Sequence, residues 1–144
     1  MKKLLPILMV LLIAVPVFAQ SPDFSSKFKD VVQRHLGRPY VWGSSGLKGY
    51  DCSGFIWRVM MENGIMTKRT TARKFYMMLP KIDDSNRWKL GNMVFFDNLK
   101  HVGIVDTQKT FYHAQVSRGT NLSSFDPFWR PKVVGFRGIP LALE

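Results

Sequence analysis

Gly43-Ser44-Ser45-Gly46-Leu47-Lys48-Gly49-Tyr50-Asp51-Cys52-Ser53-Gly54-Phe55-Ile56 is the stretch on which the fold turns. From Gly43 to Gly49 it is Gly/Ser-rich and reads as a loop. Immediately afterwards Phe55, Ile56, Val59 and Met60 fall on one helical face, and Asn63-Gly64 ends the run. A loop therefore passes straight into a helix, and Cys52 stands at the junction. It is the single cysteine of the 144-residue chain and has no intramolecular disulfide partner. Either Cys52 is a buried, inert side chain or it is kept because its thiolate is used. Its position favours use. Unpaired N–H groups at a helix N-terminus stabilise negative charge, so the thiol pKa is expected to fall. The same groups can hold the oxyanion formed when a thiolate attacks an amide carbonyl.

Upstream, Ser21-Pro22-Asp23 reads as a helix start, with Phe24, Phe28, Val31, Val32 and Leu36 as its apolar face and Gly37 and Pro39 as its stop. His35, in the last turn, is read as a surface residue favoured by the helix dipole. Downstream, a shorter helix is expected over Thr71–Leu79, capped by Thr70 or Thr71 and closed by Pro80. Trp57 and the neighbouring methionines read as packing residues. After Leu90 the pattern changes to short β-rich runs at Met93–Asp97, His101–Asp106, Thr110–Gln115 and Val133–Gly138. Helices first and an antiparallel sheet afterwards make an α+β domain.

A thiolate nucleophile needs a base, and the base an orienting partner. His101 and His113 lie on consecutive predicted strands, twelve residues apart, with a turn at Asp106–Lys109 between them. An odd-numbered hairpin loop of about three to five residues would put the pair opposite each other on one face. Gly103 and Val105 would share the face of His101, with Gly103 leaving room for a substrate or a neighbouring chain.

The N-terminus carries a different signal. Met1-Lys2-Lys3 is basic, Leu4 to Phe18 is almost wholly apolar, and Val17-Phe18-Ala19 resembles a signal-peptidase site. The apolar run is shorter than the roughly 20 residues of a membrane-spanning helix, so residues 1–19 read as a signal peptide and 20–144 as one domain. An uncleaved anchor is the alternative. Eleven Phe, four Trp and four Tyr are ample for one core. The formal charge of +11 is scattered rather than run together, which argues against nucleic acid and suits an anionic envelope polymer.

Taken in order, several blocks resemble the NlpC/p60 family of cell-wall cysteine peptidases. They are Gly37-Arg38-Pro39-Tyr40-Val41-Trp42-Gly43, Tyr50-Asp51-Cys52-Ser53-Gly54-Phe55, Arg69-Thr70-Thr71-Ala72, Gly91-Asn92-Met93-Val94-Phe95-Phe96, His101-Val102-Gly103-Ile104 and Tyr112-His113-Ala114. The resemblance runs from about Val32 to Ile139 and implies a trimmed papain-like α+β domain, its N-terminal helices packed on an antiparallel sheet. It implies Cys52 as nucleophile, His101 as general base and His113 as the polar group that orients the base. It also implies that the Tyr40 hydroxyl lies beside the thiol, assisting with the oxyanion or substrate, and that Asp51 and Ser53 line the binding cleft. Asn92-Met93, where the family has Asp-Leu, and Ser44, where it has a second glycine, are departures that bear on the shape of the cleft.

What the resemblance implies is an exported thiol hydrolase of the periplasm or extracellular cell wall. Its partner would be peptidoglycan, and it would act through a thioester on stem-peptide amides. The bond would join D-γ-glutamate to the diamino acid, or cross-link two stems. The protein is expected to be a monomer with no cofactor, no metal, no nucleic-acid partner and no stable membrane insertion after signal cleavage. The rival readings are a murein-binding module without turnover, a thiol amidase or acyltransferase on another substrate, and a zinc site of Cys52, His101 and His113 with Asp51 as fourth ligand.

Overall fold

The computed structural model describes residues 22–140. The signal peptide expected over residues 1–19 and the helix cap expected at Ser21 lie outside the described residues. Three helices come first: α1 (Pro22–Arg34), α2 (Cys52–Glu62) and α3 (Ala72–Met78). Five strands follow: β1 (Met93–Phe96), β2 (His101–Val105), β3 (Thr110–Gln115), β4 (Gly119–Ser124) and β5 (Val133–Arg137). They form one antiparallel sheet in the order β4-β3-β2-β1-β5. The α+β expectation holds. Four strands fall where the sequence places them. β4, Gly119-Thr120-Asn121-Leu122-Ser123-Ser124, is additional, an edge strand held by six residue pairs with β3. No described helix is long and apolar enough to cross a membrane.

Every residue of β1 is buried, because both sheet faces are covered. On one face Met93, Phe95, Val102, Ile104 and Tyr112 pack under Phe28, Val32, Phe55, Ile56 and Phe75 of the helices. On the other, Val94, Phe96, Val105 and Phe111 meet Phe125, Trp88 and Trp129. The second layer exists because the chain crosses from β4 at one end of the order to β5 at the other, laying residues 125–132 over that face. Each fully buried Phe contributes on the order of 1.5–3 kcal/mol by removal from water.

Two glycines mark where backbones touch. A Cβ on Gly103 would meet Phe111 Cδ2 and the Tyr112 carbonyl oxygen at 2.8 Å and His113 Cβ at 3.4 Å. The room expected at Gly103 is thus taken by the neighbouring strand. A Cβ on Gly54, in the first turn of α2, would run into the Ser44 carbonyl oxygen and approach Asp51 Oδ1 to 2.9 Å. The loop before α2 is pressed against the helix there. Gly54→Ala should therefore lower unfolding stability by about 1–3 kcal/mol, the usual range for overpacking. A urea melt with unchanged slope checks it; an unshifted midpoint would show that the loop does not lie on the helix.

Candidate active site

The start of α2 is built on one carboxylate. Asp51 is its N-cap, accepting the Gly54 N–H on Oδ1 at 2.7 Å and the Gly43 N–H on Oδ2 at 3.0 Å. Arg69, just before α3, donates from Nη2 to Asp51 Oδ1 at 2.7 Å and from Nη1 to Ser53 Oγ at 2.9 Å. Asp51 and Ser53 are buried and committed to these partners, and the structure does not place either among the residues lining the cleft.

Cys52 is the first residue of α2, only 9% exposed. Its sulfur lies 3.9 Å from the Lys100 carbonyl oxygen. Burial pushes the thiol above its ordinary pKa. Backbone hydrogen bonding from Val102, Ser53 and Cys52 itself pulls down, while the Asp51 charge adds to the rise. The lowered pKa expected from the helix start is therefore corrected to a raised one. Burial outweighs the N–H groups, and the capping carboxylate already occupies the end of the helix.

The two histidines meet as neighbours, not directly opposite. β2 and β3 pair Ile104 with Tyr112 and Val105 with Phe111, so the loop centres on Gln108. Continuing that register sets His113 across from Gly103, two residues along from His101. The expected direct opposition is corrected to a diagonal, on one face as expected, since a shift of two preserves the side. His101 Nε2 and His113 Nδ1 are 2.8 Å apart. His113 is fully buried, and its Nε2 lies 2.7 Å from Ser123 Oγ on β4. Trp129 stacks on His101 at 5.2 Å between ring centres and meets His113 edge-on at 5.0 Å. Burial lowers His101 to about 4, against a smaller upward pull from Asp97. Burial, then the charge of His101, lowers His113 to about 3. At pH 7 both rings are neutral.

A cleft of about 870 Å³ opens where β2 begins and β3 ends, and Tyr40, Cys52, Lys100, His101, Trp129 and Lys132 are on its walls. Cys52 reaches it from the helix side of the sheet and His101 from the aromatic side; His113 stands behind His101. Burial, then the charges of Cys52 and Asp51, raises the Tyr40 phenol. His35 lies apart, hydrogen-bonded to Glu62 at 2.9 Å and to the Tyr50 hydroxyl at 2.7 Å. Asn92 also lies apart, donating to the Asn86 carbonyl at 2.7 Å. Among the described residues no group of three or more His, Cys, Asp or Glu is arranged to hold a metal ion. Sequence reasoning missed Ser123, Asn121 and Trp129. The polar i, i+2 spacing of Asn121 and Ser123 was the one available sign of a strand.

A cysteine in the first turn of a helix thus shares a cleft with His101 of the sheet beneath it, within an α+β domain. The sequence pattern described as "NlpC/P60 family" matches residues 37–138, and the chain belongs to that family. It is similar to the "Probable peptidoglycan endopeptidase LytE" of Bacillus subtilis, 33% identical over 115 residues, which cover 76% of this chain and 33% of that protein. It is similar also to the "Probable endopeptidase NlpC" of Escherichia coli, 34% identical over 107 residues, covering 70% of this chain and 69% of that one. A crystal structure of a lipoprotein-like NLP/P60-family protein from Staphylococcus aureus superposes with TM-score 0.71 at 25% identity, over 82% of this chain and 42% of that chain. This chain thus spans about a third of the LytE relative's length.

The raised thiol and lowered imidazole leave Cys52 protonated and His101 neutral at pH 7. Iodoacetamide reacts with the thiolate, so the alkylation rate should climb with each step from pH 6 to 9. A plateau between pH 5 and 8 would reveal a preformed thiolate–imidazolium pair and contradict the neutral site.

Proposed function

We propose that the protein is an exported thiol hydrolase that cleaves amide bonds in peptidoglycan stem peptides, with Cys52 as nucleophile, His101 as general base and His113 as its orienting partner. The observation that carries this is the meeting of Cys52 and His101 on one cleft, with the far nitrogen of His101 engaged by His113. The peptidoglycan endopeptidase named among the relatives points to the substrate. Lys100 and Lys132 on the cleft walls, and the formal charge of +11, suit a carboxylate-bearing polymer. The basic, apolar and small-residue pattern of residues 1–19 supports export to the periplasm or extracellular wall.

With Nε2 engaged, His101 has Nδ1 left to take a proton. As Cys52 Sγ attacks the scissile carbonyl carbon, the thiol proton passes to His101, and the carbonyl electron pair moves onto oxygen. The N–H groups at the start of α2 and the Tyr40 hydroxyl are the donors for that oxyanion. The C–N bond then breaks, and His101 gives its proton to the departing amine. Water, deprotonated by His101, attacks the resulting thioester and releases a carboxylic acid and the free thiol. Because the thiol is raised, the proton moves during attack rather than beforehand. The bond from D-γ-glutamate to the diamino acid and the stem cross-link are the two candidate amides.

Initial rates on one soluble murein peptide, with each variant first shown to be folded, test the roles. Cys52→Ala and His101→Asn should both be inactive, since an amide cannot shuttle a proton. His113→Asn should retain turnover, because an amide can still orient the base. His113→Ala should lose on the order of 10²-fold. A chelator should leave the wild type active. Full activity in Cys52→Ala, or loss on chelation that zinc restores, would overturn the thiol mechanism.

A further inference from the structure

The hydrogen-bond chain behind the histidines continues past His113, and its far end is polar in one direction only. Asn121 lies opposite His113 across the β3–β4 pair. Its Nδ2 sits 2.8 Å from the Gly119 carbonyl oxygen and 3.4 Å from Gln115 Oε1. A carbonyl oxygen can only accept, so the amide cannot be turned round, and Asn121 Oδ1 must face Ser123 Oγ, 2.9 Å away. That oxygen likewise only accepts, which commits the single Ser123 hydroxyl hydrogen to it. Ser123 Oγ is then an acceptor toward His113 Nε2 at 2.7 Å.

Resting on the function proposed above, we propose that Asn121, acting through Ser123, is a positioning residue that sets the tautomer of both histidines and so keeps the base nitrogen of His101 free. His113 must carry its proton on Nε2, and as a neutral ring it presents a bare Nδ1. That lone pair takes the hydrogen of His101 Nε2 across 2.8 Å. His101, also neutral, is left with an unprotonated Nδ1, the nitrogen that accepts the thiol proton. The neutrality of both rings rests on their burial, which holds them at about 4 and about 3. Without the Asn121 oxygen, the Ser123 hydroxyl is free to donate to His113 Nε2. The chain then reverses: His113 carries its proton on Nδ1, His101 accepts on Nε2, and His101 Nδ1 is protonated and useless as a base.

Imidazole ¹⁵N spectra of the intact protein read the tautomers directly, whether or not it digests murein. Wild type should show both rings protonated on Nε2, with bare Nδ1. Asn121→Leu should populate the reversed tautomers and lower kcat by on the order of 10²-fold with KM little changed; a triad in the wrong tautomer elsewhere loses about 10⁴. Asn121→Asp, which keeps an acceptor for the Ser123 hydroxyl, should restore the Nε2–H pattern and much of kcat. Nδ1–H on His113 in the wild type overturns the proposal, as does Asn121→Leu with unchanged tautomers. Should Asn121→Leu fail to fold, the wild-type spectrum and Asn121→Asp still decide. An Nε2–H pattern in a protein that digests no murein would leave the relay standing and remove the proposed function.

Discussion

The carboxylate of Asp51 joins the Gly43 loop, the start of α2 and the segment before α3. It accepts from the first turn of α2, from the Gly43 loop and from Arg69, so three segments converge on one charge. Its capping of α2 fixes where the helix begins, and with it the place of Cys52 on the cleft wall. Gly54 belongs to the same constraint, since any side chain there would push the Ser44 loop off the helix. The carboxylate also acts on the chemistry, because its charge helps hold the neighbouring thiol protonated. A substitution at Asp51 would therefore disturb folding and reactivity together.

The second constraint is the covered outer face of the sheet. Residues 125–132 place Phe125 on Phe111 and Trp129 on His101, so the His101 ring is backed by aromatic rings. That packing keeps the imidazole neutral, as the proposed transfer of the thiol proton to His101 requires. Stability and reactivity meet in the same layer, which also walls the cleft through Trp129 and Lys132.

Much of this was legible in the residues. The helices at Phe28–Val32 and Phe55–Met60 show their apolar faces, α3 shows its Thr71 cap and Pro80 stop, and four strands are apolar enough to read directly. The pairing of His101 with His113 survived an error in the hairpin centre, because moving the centre by one residue shifts the register by two and keeps the face. β4 was hidden because Thr120-Asn121-Leu122-Ser123 has no apolar alternation. Its strand character comes from pairing with β3, and its inward polar groups serve the histidines rather than a core. The direction of the thiol shift was hidden for a related reason. N–H groups at a helix start are a local feature, whereas burial of the thiol against the sheet is tertiary. Asp51 and Ser53 could be seen beside Cys52 in sequence, but helical geometry turns them to Arg69 instead of the cleft.

Digestion of purified peptidoglycan sacculi, followed by mass measurement of the released fragments, tests the central claim most directly. A thiol acyl-transfer site predicts cuts confined to amide bonds of the stem peptides, glycan chains left intact, and complete protection when Cys52 is alkylated beforehand. Intact sacculi, cleavage of glycosidic bonds, or digestion that persists after alkylation would contradict it.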